Sequence, residues 1–168
     1  MNLILLSGLP ASGKSTLRKK LIKRGTVISP DDYIGYTKNK PWTPRAAKDA
    51  WNKADKILSE ALERGDEIIV FDATFVSLKR RRKYIKLGKK NEANMICIVC
   101  SASEKITFER NNKRDEFRKV PPFIIRNMMN SFVAPNKEEG FDLIVNYNSE
   151  LNEFHGDFIK VSKLLEVS

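Results

Sequence analysis

Along these 168 residues, short and almost unbroken apolar runs alternate with longer stretches in which apolar positions recur every three or four residues. Five runs, at residues 3–6, 26–29, 68–71, 95–99 and 143–145, are rich in aliphatic and β-branched side chains. Hydrophobicity that is continuous over such a length predicts strands covered on both faces, as in a parallel sheet. Between them lie helical patterns. The clearest spans residues 45–64, where Ala46, Ala47, Ala50, Trp51, Ala54, Ile57, Leu58, Ala61 and Leu62 make one apolar stripe and Gly65 stops it. Further helices are expected at 14–24, 78–91, 103–112, 121–132 and 153–166, with Ser77, Ser103 and Pro121-Pro122 at their starts. Strands alternating with helices predict an α/β three-layer sandwich around a mostly parallel five-stranded sheet. Residues 30–44, with three prolines and a glycine, read as a loop beside it. With no repeat, low-complexity tract or linker, one domain over 1–168 is expected.

The first strand runs directly into Gly8-Leu9-Pro10-Ala11-Ser12-Gly13-Lys14-Ser15-Thr16, a match to G-x-x-x-x-G-K-[ST] at every fixed position, followed by a helix. Glycines let such a loop curl so that successive N–H groups, those of Ala11, Ser12 and Gly13 among them, point at phosphate oxygens, and the helix adds its positive end. Lys14 is then a point charge for the β and γ phosphates of ATP, and Ser15 a hydroxyl ligand for Mg²⁺, a hard cation that takes oxygen. A turn that merely ends a strand would need neither residue. The loop does not decide whether phosphate passes to water or to a substrate.

Two more strands end in acidic tips. Ser29-Pro30-Asp31-Asp32-Tyr33 places two carboxylates at the carboxyl edge of the sheet, where open α/β sheets bind ligands. Asp31 is a candidate general base toward an attacking hydroxyl, or else a turn or helix-cap residue after Pro30. Val70-Phe71-Asp72-Ala73-Thr74 ends the third run, and Asp72 is a candidate for the Mg²⁺ shell or, equally by type, a turn former. Arg110 and Arg114, four apart where a helix gives way to a polar stretch, suit a basic lid over ATP; exposed i, i+4 charges that simply face water are the alternative.

Charge extends the picture toward polyanions. Lys and Arg number 31 against 21 Asp and Glu, a formal +10. Lys79-Arg80-Arg81-Arg82-Lys83, continuing to Lys86, Lys89 and Lys90, would track a phosphodiester backbone or form a solvated face. Within it Arg81, with Thr74 at the strand tip, is a candidate substrate contact. The two cysteines, Cys97 and Cys100, sit three apart in one strand and so on opposite faces, which predicts buried thiols rather than a disulfide or a metal pair. The lone His155 is expected on the surface of the last helix, and zinc, thiol and serine-hydrolase chemistry are disfavoured. No stretch approaches the roughly 18 apolar residues of a membrane span, and a reduced, cytoplasmic setting is expected.

In this order the motifs resemble the kinase domain of polynucleotide 5′-kinases of the bacteriophage type, within the P-loop kinases. The resemblance covers essentially the whole chain: the GLPASGKST loop, Asp31-Asp32-Tyr33, Asp72-Ala73-Thr74 with the basic run behind it, the Arg110 to Arg114 element, Val120-Pro121, and Pro135 ahead of Glu139-Gly140-Phe141-Asp142. It implies ATP and metal on Lys14 and Ser15, Asp31 as base toward the 5′-hydroxyl end of DNA or RNA, and Arg110 and Arg114 as lid arginines. Two positions depart from the family. Ile34 stands where an acceptor-gripping arginine is found soon after Asp-Asp-Tyr, and Phe75 where Asn often follows Thr. Acceptor recognition would then fall to Lys38, Lys40 or the basic helix. The acyl-phosphatase motif D-x-D-G-T that often accompanies such kinases does not occur in this sequence. A small-molecule hydroxyl as acceptor, and a non-catalytic ATP-dependent nucleic-acid-binding module, are the competing readings.

Overall fold

The computed structural model describes residues 1–34 and 43–165. Its centre is a six-stranded sheet in the order β2-β3-β1-β4-β5-β6, formed by β1 (Asn2–Ser7), β2 (Thr26–Ile28), β3 (Ile68–Asp72), β4 (Asn94–Ser101), β5 (Leu143–Asn148) and β6 (Glu153–Gly156). The first five are parallel and β6 runs antiparallel to β5. Alternation along β1 explains the layers. Leu3 and Leu5 point into one core with Leu58, Phe71 and Met95, while Ile4 and Leu6 point into the other with Leu17, Val70 and Ile98. Cys97 and Cys100 divide between the two cores as free, buried thiols.

Helices cover both faces: α1 (Lys14–Leu21), α2 (Pro30–Ile34), α3 (Pro44–Arg64), α4 (Leu78–Lys90), α5 (Glu104–Asn112), α6 (Pro122–Ser131) and α7 (Phe158–Leu164). Local chemistry sets their ends. Thr43 accepts the Ala46 N–H ahead of Pro44 to open α3, and Gly65 closes it in the left-handed conformation. Ser77 and Ser103 cap α4 and α5 as expected from sequence. None of the described helices is long and apolar enough to cross a membrane.

The structure corrects three expectations. The sheet has six strands, not five, because residues 153–156 extend instead of opening a helix. Asn148 Oδ1 accepts the N–H groups of Glu150 and Leu151 in a tight turn, and Phe154 stacks on Tyr147 at 4.5 Å, which turns the chain back along β5. His155 therefore sits exposed on β6, and α7 starts only at Phe158. In the stretch read as a loop, Pro30 opens the short helix α2, proline being tolerated in a first turn.

Candidate active site

The loop after β1 owes its shape to backbone that few side chains tolerate. Gly8 has φ 145° and Gly13 φ 97°, and Ala11 between them is also left-handed at 62°. A Cβ on Gly8 would collide with the Cys100 carbonyl oxygen, and one on Gly13 would meet the Ser149 Cβ at 2.8 Å. The first turn is tied to the neighbouring strand's exit, with Gly8 N–H donating to the Thr74 carbonyl at 2.9 Å. Lys14, buried, folds back on its own loop and donates to the carbonyls of Gly8 (2.8 Å) and Leu9 (2.7 Å). Burial pulls its pKa below the usual lysine range, against the opposing charge of Asp72.

Asp72, at the tip of β3, lies under the start of α1. Ser15 Oγ donates to its Oδ2 at 3.4 Å, and Arg18 Nη1 sits 3.3 Å from the same oxygen. Burial raises the Asp72 carboxyl, a rise that Lys14 and Arg18 partly offset. Arg18 also bonds Asp32 Oδ2 at 3.1 Å, so one guanidinium links β3 to α2. Asp31 and Asp32 are exposed on α2, and the Asp31 side chain makes no ion pair or hydrogen bond among the described residues, though its charge acts on Lys14 and Asp72.

Against the loop lies a pocket of about 370 Å³ lined by Ala11, Gly13, Lys14, Ser15, Thr16, Arg110, Arg114, Tyr147 and Ser149. Arg110 is braced by Ser149, donating from Nη1 to Oγ at 2.6 Å and from Nη2 to the carbonyl at 3.1 Å. The segment carrying Arg114 is closed at its base by Asn111, whose amide exchanges two hydrogen bonds with the Val120 backbone at 2.8 and 3.0 Å. Ser12 Oγ is buried in the loop with no hydrogen-bond partner among the described residues. A buried loop hydroxyl, a lysine held by two backbone carbonyls, two arginines and a Ser15–Asp72 oxygen pair together fit a triphosphate and a hard divalent cation.

Of the residues singled out in the sequence, Gly8, Ala11, Ser12, Gly13, Lys14, Ser15, Thr16, Asp31, Asp72, Thr74, Arg110 and Arg114 lie in the loop, at the strand tips beside it or around its pocket. Thr74 contributes its carbonyl to the loop. Arg81 is the correction. Its side chain has 0% exposure, bonded to Glu139 and to the Phe75 carbonyl, because the helix turns position 81 inward toward the core while 80 and 82 face out. It cannot touch a substrate phosphate from there. Lys38 and Lys40 lie outside the described residues. Arg18, Tyr147 and Ser149 were not anticipated. Arg18 had a signal, since it lies one helical turn beyond Lys14; Ser149 is brought in only by the hairpin after β5.

A mostly parallel sheet with a phosphate-type loop after β1, an acidic tip on the adjacent β3 and arginines opposite gives the chain the P-loop kinase fold. The chain belongs to the AAA domain family, whose model matches residues 3–135. It is 29% identical over 165 residues to an L-seryl-tRNA(Sec) kinase of Methanococcus maripaludis, covering 90% of this chain and 64% of that one. It is 26% identical over 142 residues to a bifunctional polynucleotide phosphatase/kinase of Schizosaccharomyces pombe, covering 83% of this chain and 31% of that one. The chain thus spans less than two thirds of either curated relative. Its fold is shared with a Chloroflexus aurantiacus protein assigned as a kinase, at a TM-score of 0.70 and 18% identity, over 98% of this chain and 96% of that one.

Proposed function

We propose that the protein transfers the γ-phosphate of ATP to a hydroxyl carried by a nucleic acid, with the 5′-hydroxyl end of DNA or RNA as acceptor. The observation that carries this reading is the meeting of Lys14, Ser15, Asp72 and the α2 carboxylates at one sheet edge, with exposed Asp31 close enough for its charge to act on Lys14. The acceptor oxygen bonds to the γ-phosphorus as the bond to the β-phosphate oxygen breaks; Asp31 takes the hydroxyl proton and ADP leaves. Lys14, Arg110 and Arg114 answer the charge on the transferring group. Ser15 and Asp72 would hold Mg²⁺, which supplies charge neutralisation on the phosphates.

The acceptor side rests on charge. On α4, Lys83 pairs with Asp55, Lys89 with Asp142, and Arg80 lies over the Trp51 ring at 4.4 Å. Lys79, Arg82, Lys86 and Lys90 are exposed, have no acidic partner among the described residues, and at spacings of three and four share one helix face. Such a stripe suits a phosphodiester backbone, contacted without reading sequence.

A second reading keeps the nucleic acid and moves the hydroxyl: 29% identity over 90% of this chain to an L-seryl-tRNA(Sec) kinase favours a seryl hydroxyl on tRNA. Incubation with γ-labelled ATP and, separately, a 5′-hydroxyl oligonucleotide, a seryl-tRNA, and a nucleoside and sugar set decides. Label on the oligonucleotide supports the first reading, and label on seryl-tRNA alone the second. Label only on a small molecule, or ATP binding with no transfer, rejects a nucleic-acid hydroxyl.

A further inference from the structure

Glu139-Gly140-Phe141-Asp142 has no part in the chemistry above, and neither does the buried Arg81. The structure brings them together. Arg81 Nε and Nη2 meet the two Glu139 carboxylate oxygens at 2.7 Å each, a bidentate pair with side-chain exposures of 0% and 3%. Glu139 closes a 3₁₀ turn, Lys137–Glu139, in which it also accepts the Asn136 N–H at 3.2 Å. Gly140 lets this turn approach α4 closely, since a Cβ there would meet Ile85 at 2.9 Å.

The third arm of the guanidinium reaches the connection between β3 and α4. Arg81 Nη1 donates to the Phe75 carbonyl at 2.9 Å. Phe75 is left-handed at φ 45°, a conformation that Asn adopts readily and a bulky aromatic residue does not. Its ring is wedged edge-on against Phe71 at 5.4 Å and Tyr84 at 5.3 Å. The same carbonyl accepts from Ser7 Oγ at 3.4 Å, and the preceding carbonyl, of Thr74, accepts the Gly8 N–H. A continuous chain of bonds therefore runs from Glu139 through Arg81 and the 74–75 backbone to the first glycine of the loop.

We propose that the Arg81–Glu139 pair is a positioning device for nucleotide binding: it holds the β3–α4 connection in its strained form so that the Thr74 and Phe75 carbonyls fix Ser7 and Gly8. Neither residue touches nucleotide. A buried ion pair is often replaceable by apolar side chains with little change in stability, so a role in stability alone and a role in positioning separate cleanly. In the double variant Arg81→Met/Glu139→Leu, packing is restored but the donor to the Phe75 carbonyl is gone; in Arg81→Lys the charge stays but the fork that serves both Glu139 and Phe75 does not.

The test measures the Kd for an ADP analogue, thermal unfolding, and hydrogen exchange at the Gly8 amide in both variants. The expected result is a Kd raised about tenfold or more and Gly8 exchange accelerated by a similar factor, with the melting temperature of the double variant within about 5 °C of the native protein. Native Kd and native Gly8 protection in a folded double variant would overturn the proposal. Should the double variant fail to fold, Arg81→Lys decides on the same two readings. No acceptor is present in these measurements, so their outcome is independent of which hydroxyl is phosphorylated.

Discussion

Lys14 Nζ lies 2.8 Å from the carbonyl oxygen of Gly8, so the loop's cation is held by the backbone that its ligand would have to displace. Burial lowers the Lys14 pKa from 10.5. The protein without nucleotide therefore loses the Lys14 proton at a lower pH than the unfolded chain does, and between those two pH values the unfolded state binds more protons. Stability then rises as pH rises through the folded pKa. Affinity for a triphosphate moves the other way, because phosphate favours the charged amine. Calorimetric titration with an ATP analogue across the alkaline range should show weaker binding and growing proton uptake while the melting temperature holds or climbs. Lys14→Ala should fold, yet lose transfer by about 10²–10³ fold.

Asp72 has the opposite sign. Burial pushes its carboxyl above 3.8, against the pull of Lys14 and Arg18. A carboxyl with a raised folded pKa favours folding at acid pH, and that contribution is lost as pH rises through the folded value. Asp72→Asn should consequently melt no lower than the native protein at neutral pH while phosphoryl transfer falls by about 10²–10³ fold. The Mg²⁺ concentration for half-maximal transfer should increase on acidification starting from a pH above that of an ordinary aspartate. A variant that melts far lower would show that the carboxylate chiefly anchors Arg18.

The cationic stripe on α4 predicts a salt dependence. Replacing Lys79, Arg82, Lys86 and Lys90 with Gln, and leaving buried Arg81 untouched, should reduce the log–log salt slope of oligonucleotide binding by up to about 3.6, at roughly 0.7–0.9 for each phosphate no longer neutralised. Affinity for ATP should not change. A native slope in the quadruple variant makes α4 a solvated face.

The parallel strands and the loop were legible because each depends on local pattern: unbroken apolar runs between helical stripes, and a glycine-lysine motif at a strand end. What sequence could not supply was direction within a helix and contact across the chain. Five consecutive basic residues look equivalent on paper, yet the helical period sends Arg81 inward and Arg80 and Arg82 out. Its partner Glu139 is 58 positions away, set by tertiary packing alone. The hairpin from β5 to β6 was missed for a similar reason. Four residues are too few to reveal a two-residue period, and the stacking of Phe154 on Tyr147 decides the conformation.

Asp31 and Asp32 give the sharpest test of mechanism. Were the segment extended, adjacent side chains would point oppositely and only one could face the γ-phosphate. It is helical, so the two are about 100° apart around the axis, and the difference between them comes from partners instead. Asp32, half exposed at 52%, is engaged by Arg18 at 3.1 Å, whereas Asp31 carries no ion pair among the described residues and is available to accept a proton. Asp31→Asn, which keeps size and most hydrogen bonding but not basicity, should lower transfer to the acceptor by about 10²–10⁴ fold with ATP affinity almost unchanged. Asp32→Asn should cost far less, because Arg18 retains Asp72 at 3.3 Å. The double variant reports whether the carboxylates act as a unit, since independent effects multiply and a shared proton path does not. If Asp32→Asn is the crippled variant, the base is the carboxylate held by Arg18. If neither substitution slows transfer, the acceptor is activated elsewhere, and Asp72 is the remaining carboxylate at this edge of the sheet.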